Sequence, residues 1–151
     1  MSDSTSGLAR AIGGMAEMRH FKEINHTADR AFRVTGRDMP ALLRNAARAM
    51  QALDGLPPPT EWSATREIDV EGVDRETLLV NWLNEILYLE QVDRLVCTDF
   101  HIYECKNHHV RGRVETREAE RRPTYIKAVT FHNLKVRETL EGLEAEIVVD
   151  V

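Results

Sequence analysis

An α+β fold, a single domain in which two amphipathic helices lie on one face of a largely antiparallel β-sheet, follows from three features of this sequence. Apolar residues recur at helical spacing in two separate segments, the first over 39–53 and the second beginning after Asp74. Four β-like runs then follow one another through short polar connectors, as antiparallel hairpins do. A parallel sheet would need a helix between successive strands, and the second half offers no segment for one. Length agrees: a chain of 151 residues buries roughly 68–70% of its unfolded surface, enough for a full core without disulfide or metal staples.

Residues 1–18 are rich in Ser, Gly and Ala without sustained periodicity and read as a disordered extension, leaving 19–151 as the folded domain. Apolar residues enter near Phe21. In Ala31–Gly36, Phe32 and Val34 alternate with Arg33 and Thr35, the pattern of a half-buried strand. Asp38 then offers an N-cap and Pro40 a first-turn residue. Leu42, Leu43, Ala46, Met50 and Leu53 carry a helix over 39–53, and Gly55 stops it. Pro57-Pro58-Pro59 is a stiff connector, and Arg66–Glu71 the next strand. Asp74 caps a second helix whose Leu78, Leu79, Trp82, Leu83, Ile86 and Leu87 form the broadest apolar stripe in the chain. The four β-like runs after it span roughly 95–106, 109–117, 125–138 and 143–151.

Composition narrows the function classes. The chain is 42% hydrophobic and 30% charged, and 20 basic against 25 acidic residues leave a formal charge of -5. Tight nucleic-acid binding by phosphate neutralisation needs a basic face, so direct binding of that kind is not expected. No run approaches the roughly 20 apolar residues of a membrane span, nor is there a signal-peptide core, so a cytoplasmic location is expected. Cys97 and Cys105 fall on one face of one strand, roughly 26 Å apart at about 3.3 Å per residue, too far for a mutual disulfide.

Two acidic positions are candidates for chemistry. Asn25-His26-Thr27-Ala28-Asp29 precedes the first regular strand and reads either as backbone capping or as a site to which His26 and Asp29 project. In 143–151, Glu144, Glu146, Val148 and Asp150 share one strand face, which places Asp150 beside the end of the chain. A terminal carboxylate either stays solvated or attracts a cation. The two positions inform each other only if the first and last strands are neighbours. Ile126-Lys127-Ala128-Val129-Thr130-Phe131-His132 reads as a central strand in which Lys127 and His132 face opposite sides. His108-His109 falls at a hairpin turn, and Arg117–Arg122 reads as a solvated loop. The sequence contains no phosphate-binding glycine loop, nucleophile elbow or His-Glu-x-x-His helix, which disfavours a stand-alone hydrolase.

In order along the chain, four blocks resemble the archease family: Asn25-His26-Thr27-Ala28-Asp29, Leu79-Val80-Asn81-Trp82-Leu83-Asn84-Glu85-Ile86-Leu87-Tyr88, the Ile126–His132 run, and Ile147-Val148-Val149-Asp150-Val151. Their spacing is also family-like; the resemblance covers residues 20–151 and is weak between Glu115 and Tyr125. It implies a protein that is not itself an enzyme but assists the RNA-splicing ligase joining tRNA halves, promoting its guanylylation so that it turns over repeatedly. The resemblance also implies chaperone-like assistance to RNA-processing enzymes, a tRNA methyltransferase among them. Finally, it implies a divalent cation, calcium, held by Asp29, Asp150 and the Val151 carbonyl. His26, Glu85, Lys127 and His132 are the candidates for supporting that site.

Overall fold

A computed structural model of the chain describes residues 21–25, 30–55, 59–119, 126–131 and 133–151. The 1–18 extension, His26, Asp29 and His132 lie outside the described residues. The described residues form two helices and antiparallel strands, the expected α+β class. The strands divide between two sheets, each with one helix, in two compact units: Met1–Gly55 with Tyr125–Val151, and Leu56–Thr124.

The first unit contains β1 (Phe21–Asn25), β2 (Arg30–Gly36), α1 (Met39–Asp54), β6 (Ala128–Thr130), β7 (Val136–Thr139) and β8 (Gly142–Asp150). Its sheet runs β1-β2-β8-β6, with β7 also paired to β8. Phe32 and Val34 lie opposite Ile147 and Ala145, and all four are wholly buried, so the alternation read in β2 is matched by that of β8. α1 forms as its sequence dictates: Asp38 Oδ1 accepts the Ala41 N–H at 3.0 Å, and Gly55, at φ 70°, closes the helix in the left-handed conformation. Leu42, Leu43, Ala46 and Met50 are completely buried along the helix face that packs on β2.

At the end of α1 sits Asp54, also wholly buried. Its Oδ1 accepts the N–H of Ile126 at 3.0 Å, across 72 residues of sequence. The next residue extends the connection, because the Lys127 N–H donates to the Asp150 carbonyl at 2.7 Å. The carboxylate therefore ties the helix end to the segment that enters β6, and the Lys127 amide ties that segment to the last residue of β8.

The second unit contains β3 (Pro59–Glu71), α2 (Arg75–Gln91), β4 (Leu95–Lys106) and β5 (His109–Ala119), with sheet order β3-β5-β4. Asp74 Oδ1 caps α2 by accepting the Thr77 N–H at 2.8 Å. Trp82, 1% exposed, meets Phe100 with ring centroids 6.1 Å apart and planes tilted by 59°, a favourable edge-on aromatic arrangement. Two bulges interrupt β4, after Cys97 and after Ile102. Each reverses the alternation, so together they restore it, and Cys97, Phe100, Ile102 and Cys105 all lie opposite Thr116, Val114, Gly112 and Val110 on one face. Neither cysteine forms a disulfide.

The opposite face of β5 presents His109, Arg111, Arg113, Glu115 and Arg117, and β3 places Glu71, Asp69 and Glu67 opposite the first three. Arg111 pairs with Asp69 at 3.7 Å and with Glu104 at 3.7 Å, while His101 lies 3.4 Å from Asp99. His109 is hydrogen-bonded to Asp69, which raises its pKa above the ordinary imidazole value; the charges of Asp69, Glu71 and Glu104 act in the same direction, against a lowering by desolvation.

Several element boundaries differ from expectation. β1 was not expected as a strand, and its five residues are short for a periodicity argument. β3 begins at Pro59 rather than Arg66: the proline is tolerated as the first residue of an edge strand, where its missing N–H breaks no ladder bond. The 125–138 run is two strands, because Asn133 takes φ 53° and the Leu134 N–H closes a turn onto the Phe131 carbonyl. The central strand of that sheet is consequently β8, and the Ile126–His132 segment contributes only the short β6 at the end of the order. β5 continues through Arg117 to a buried Ala119, so the first residues of the expected solvated loop belong to a strand.

Two measurements test these contacts. Asp54→Ala removes the acceptor of the Ile126 N–H and should cost about 1–3 kcal/mol in urea denaturation, while Asp54→Asn, which keeps an acceptor oxygen, costs less. His109, with its folded pKa raised, contributes stability below the unfolded pKa of about 6.5 that is lost as pH rises through the folded value. In an NMR titration the His109 midpoint should lie above that of an unstructured histidine and fall in Asp69→Asn; identical midpoints in the two proteins would contradict the pairing.

Candidate functional site

The expected site depends on the ends of two strands. β2 and β8 are antiparallel neighbours, and their ladder closes with Arg30 opposite Val149. Asp29 is joined to Arg30 by one peptide bond, and Asp150 to Val149 by another. The strand residue that follows Asp29 and the one that precedes Asp150 are therefore paired.

Along β8 the burial changes abruptly at its last residue. Ile147 and Val149 are wholly buried and Val148 nearly so, whereas Asp150 is exposed and Val151 is 48% exposed. Alternation puts Asp150 on the face opposite Val149. No described residue forms an ion pair with its carboxylate. Its backbone is firmly held: Ala128 is its register partner in β6, and the Lys127 N–H takes its carbonyl oxygen. The result is a solvent-facing carboxylate on a fixed strand end, with the Val151 carbonyl one peptide unit further on.

Lys127 contributes to this arrangement through its main chain. Its side chain is exposed and, among the described residues, its ammonium group makes no ion pair. Glu85 lies in the middle of α2, half-buried, in the second unit. Among the described residues there is no group of three or more His, Cys, Asp or Glu able to hold a metal.

Sequence reasoning missed Asp54, which anchors the segment that pins Asp150. A signal was present: an acid in the last turn of a helix opposes the helix dipole, so a buried acid there needs a specific hydrogen-bonding reason. Among the described residues no helix is long and apolar enough to cross a membrane.

Comparison with known proteins identifies the family of the chain. Residues 21–151 match the archease protein family. The chain is 39% identical over 142 residues to protein archease of Methanopyrus kandleri, covering 87% of this chain and 99% of that one. To protein archease of Methanosarcina barkeri it is 31% identical over 141 residues, covering 88% and 97%. The fold is similar to the solution structure of Methanobacterium thermoautotrophicum protein 1598, with a TM-score of 0.65, 25% identity, and 88% and 99% of the two chains covered. It is also similar to the crystal structure of an archease from Thermotoga maritima, described as a possible chaperone, with a TM-score of 0.64, 23% identity, and 86% and 96% covered. With the match running across both units and through the Asp150 strand, this chain belongs to the archease family.

Proposed function

We propose that this protein is an accessory factor that activates an RNA-splicing ligase, promoting its guanylylation and repeated turnover, and that it does so with a divalent cation, calcium, held by Asp29, Asp150 and the Val151 carbonyl. The observation that carries the proposal is the Arg30–Val149 pairing, which brings together the strand ends adjoining the two acids. The donor set suits the ion. Carboxylate and carbonyl oxygens are the ligands of a hard cation, and Asp150 offers an exposed carboxylate that no described residue neutralises.

The chain's own part is to position ligands. β6 and β2 flank β8 and hold its end extended, and the Lys127 N–H occupies the Asp150 carbonyl oxygen, leaving the side-chain carboxylate for the ion. A bound cation supplies positive charge with coordination positions left over for water or for oxygen ligands of a partner. Set at a solvent-facing strand end, such a centre suits an activator that meets the ligase's own active site. The protein is then a partner of the enzyme rather than the enzyme, and the ligase carries the basic RNA-binding surface that an acidic chain of charge -5 lacks.

A second reading rests on the description of the Thermotoga relative as a possible chaperone. Here the chain is a chaperone-like binding module for tRNA-modifying enzymes such as a methyltransferase, and the metal is purely structural. Ligation with RNA in excess over ligase separates the two. Asp29→Ala and Asp150→Ala should each reduce the stimulated turnover at least about tenfold while circular dichroism stays unchanged. Full stimulation by both folded variants would rule out the acidic-site mechanism. Chelation should abolish stimulation at unchanged melting temperature; unfolding on chelation would instead favour the structural metal.

A further inference from the structure

At the other end of the β2–β8 ladder the first unit gathers positive charge. Thr35, Gly36, Arg37, Ala41, Arg44, Asn45, Arg48, Thr139, Glu141 and Leu143 enclose a cleft of about 510 Å³, the size of a small-molecule site. Ala41, Arg44, Asn45 and Arg48 recur at three- and four-residue spacing, so they form one stripe of α1, distinct from the buried stripe of Leu42, Leu43, Ala46 and Met50. This polar stripe forms one wall. The end of β2 and the β7–β8 turn form the other.

The walls are fixed by close backbone approach. A Cβ on Gly36 would lie 2.4 Å from the Leu42 nitrogen, so no other residue lets the start of α1 pack so tightly on the end of β2. At Gly142, φ is 139° and a Cβ would lie 2.4 Å from the Gly36 carbonyl oxygen, so the β7–β8 turn abuts the same point. Asn45 adds a cross-tie, donating from Nδ2 to the Thr35 carbonyl at 2.8 Å. The cleft is therefore a built feature of the fold.

Its charge is unusual for this chain. Three arginines face one glutamate, although acids outnumber bases over the whole sequence. Arg44 and Arg48 stand one turn apart on a helix that has no acid before Asp54, so the stripe lining the cleft carries positive charge only. Arg44 forms no ion pair with any described residue. Among the described residues Arg37 pairs only with the neighbouring Asp38, at 3.9 Å, where both side chains are largely exposed and the attraction is weak.

We propose that this cleft is an anion site that binds a phosphoryl group, with the guanidinium groups of Arg37, Arg44 and Arg48 as its ligands. Guanidinium forks bind phosphate through paired N–H donors, and three of them in a cleft of this size take a small phosphorylated molecule. Thr35 and Thr139 border the rest of the volume. The proposal is independent of the cation site, which involves none of these residues.

Isothermal titration at low ionic strength, with a chelator present to exclude metal-bridged binding, tests it on the full chain. Inorganic pyrophosphate and a nucleoside diphosphate are the two probes. Binding that weakens with salt, and at least about tenfold in each of Arg44→Gln and Arg48→Gln, is the expected result. Arg44→Lys, which keeps the charge but loses the fork, should fall between. Tighter binding of the nucleoside diphosphate identifies an organic phosphate as the occupant, and tighter binding of pyrophosphate a free one. No binding of either probe, or equal binding by the wild type and a folded Arg44→Gln/Arg48→Gln variant, overturns the proposal.

Discussion

The pairing of β2 with β8 is the constraint on which the first unit depends. Seven consecutive register pairs, from Arg30–Val149 to Gly36–Leu143, join residues more than a hundred positions apart in the chain. β8 then carries β6 and β7 along its other side, so three strands take their position from it. Ile147 and Val149 are buried because β8 is central, and Asp150 is exposed because β8 ends there. Such a ladder cannot form until the intervening chain has been brought back, so its loop-closure entropy is lost before its contacts compensate.

Asp54 shows how that return is secured. A fully buried carboxylate is costly unless hydrogen-bonded, and this one accepts from the first described residue after the second unit, Ile126. The cost of burial is thereby converted into specificity, since Leu or Met at this position would pack but would not orient the Ile126 amide. From Ile126 the chain needs one step to place the Lys127 N–H on the Asp150 carbonyl. Residue types with no role in binding an ion thus decide where the ion's proposed ligand stands.

Much of this was legible in the sequence because it rests on local rules. Asp38, Asp74 and Gly55 terminate their helices by short-range hydrogen bonding, and Asn107-His108 make the β4–β5 turn with both residues at positive φ, as the hairpin pattern required. Other features resisted reading because they are set at a distance. The sorting of strands into two sheets depends on which strands pair, and alternation is identical in either arrangement. Asn133 broke the 125–138 run by a left-handed conformation, which asparagine tolerates but does not announce. The pairing of β2 with β8 lay beyond pattern as well, because the two strands are more than a hundred positions apart in the chain.

The arrangement of charge on the first unit follows from the same ladder. Because β2 and β8 are antiparallel, the end of one lies beside the start of the other, and the acid at Asp150 and the arginines around Gly36 occupy opposite ends. Six residue steps separate Arg30 from Gly36, roughly 20 Å at about 3.3 Å per residue. That exceeds the Debye length of about 8 Å at physiological ionic strength, so the two groups of charge are screened from one another. An anion in the arginine cleft therefore cannot reach a cation held at Asp150, and neither site can be the counter-charge of the other. The two proposed sites are thus electrostatically independent, which is how a chain with a modest overall charge can present two chemically distinct charged surfaces at once.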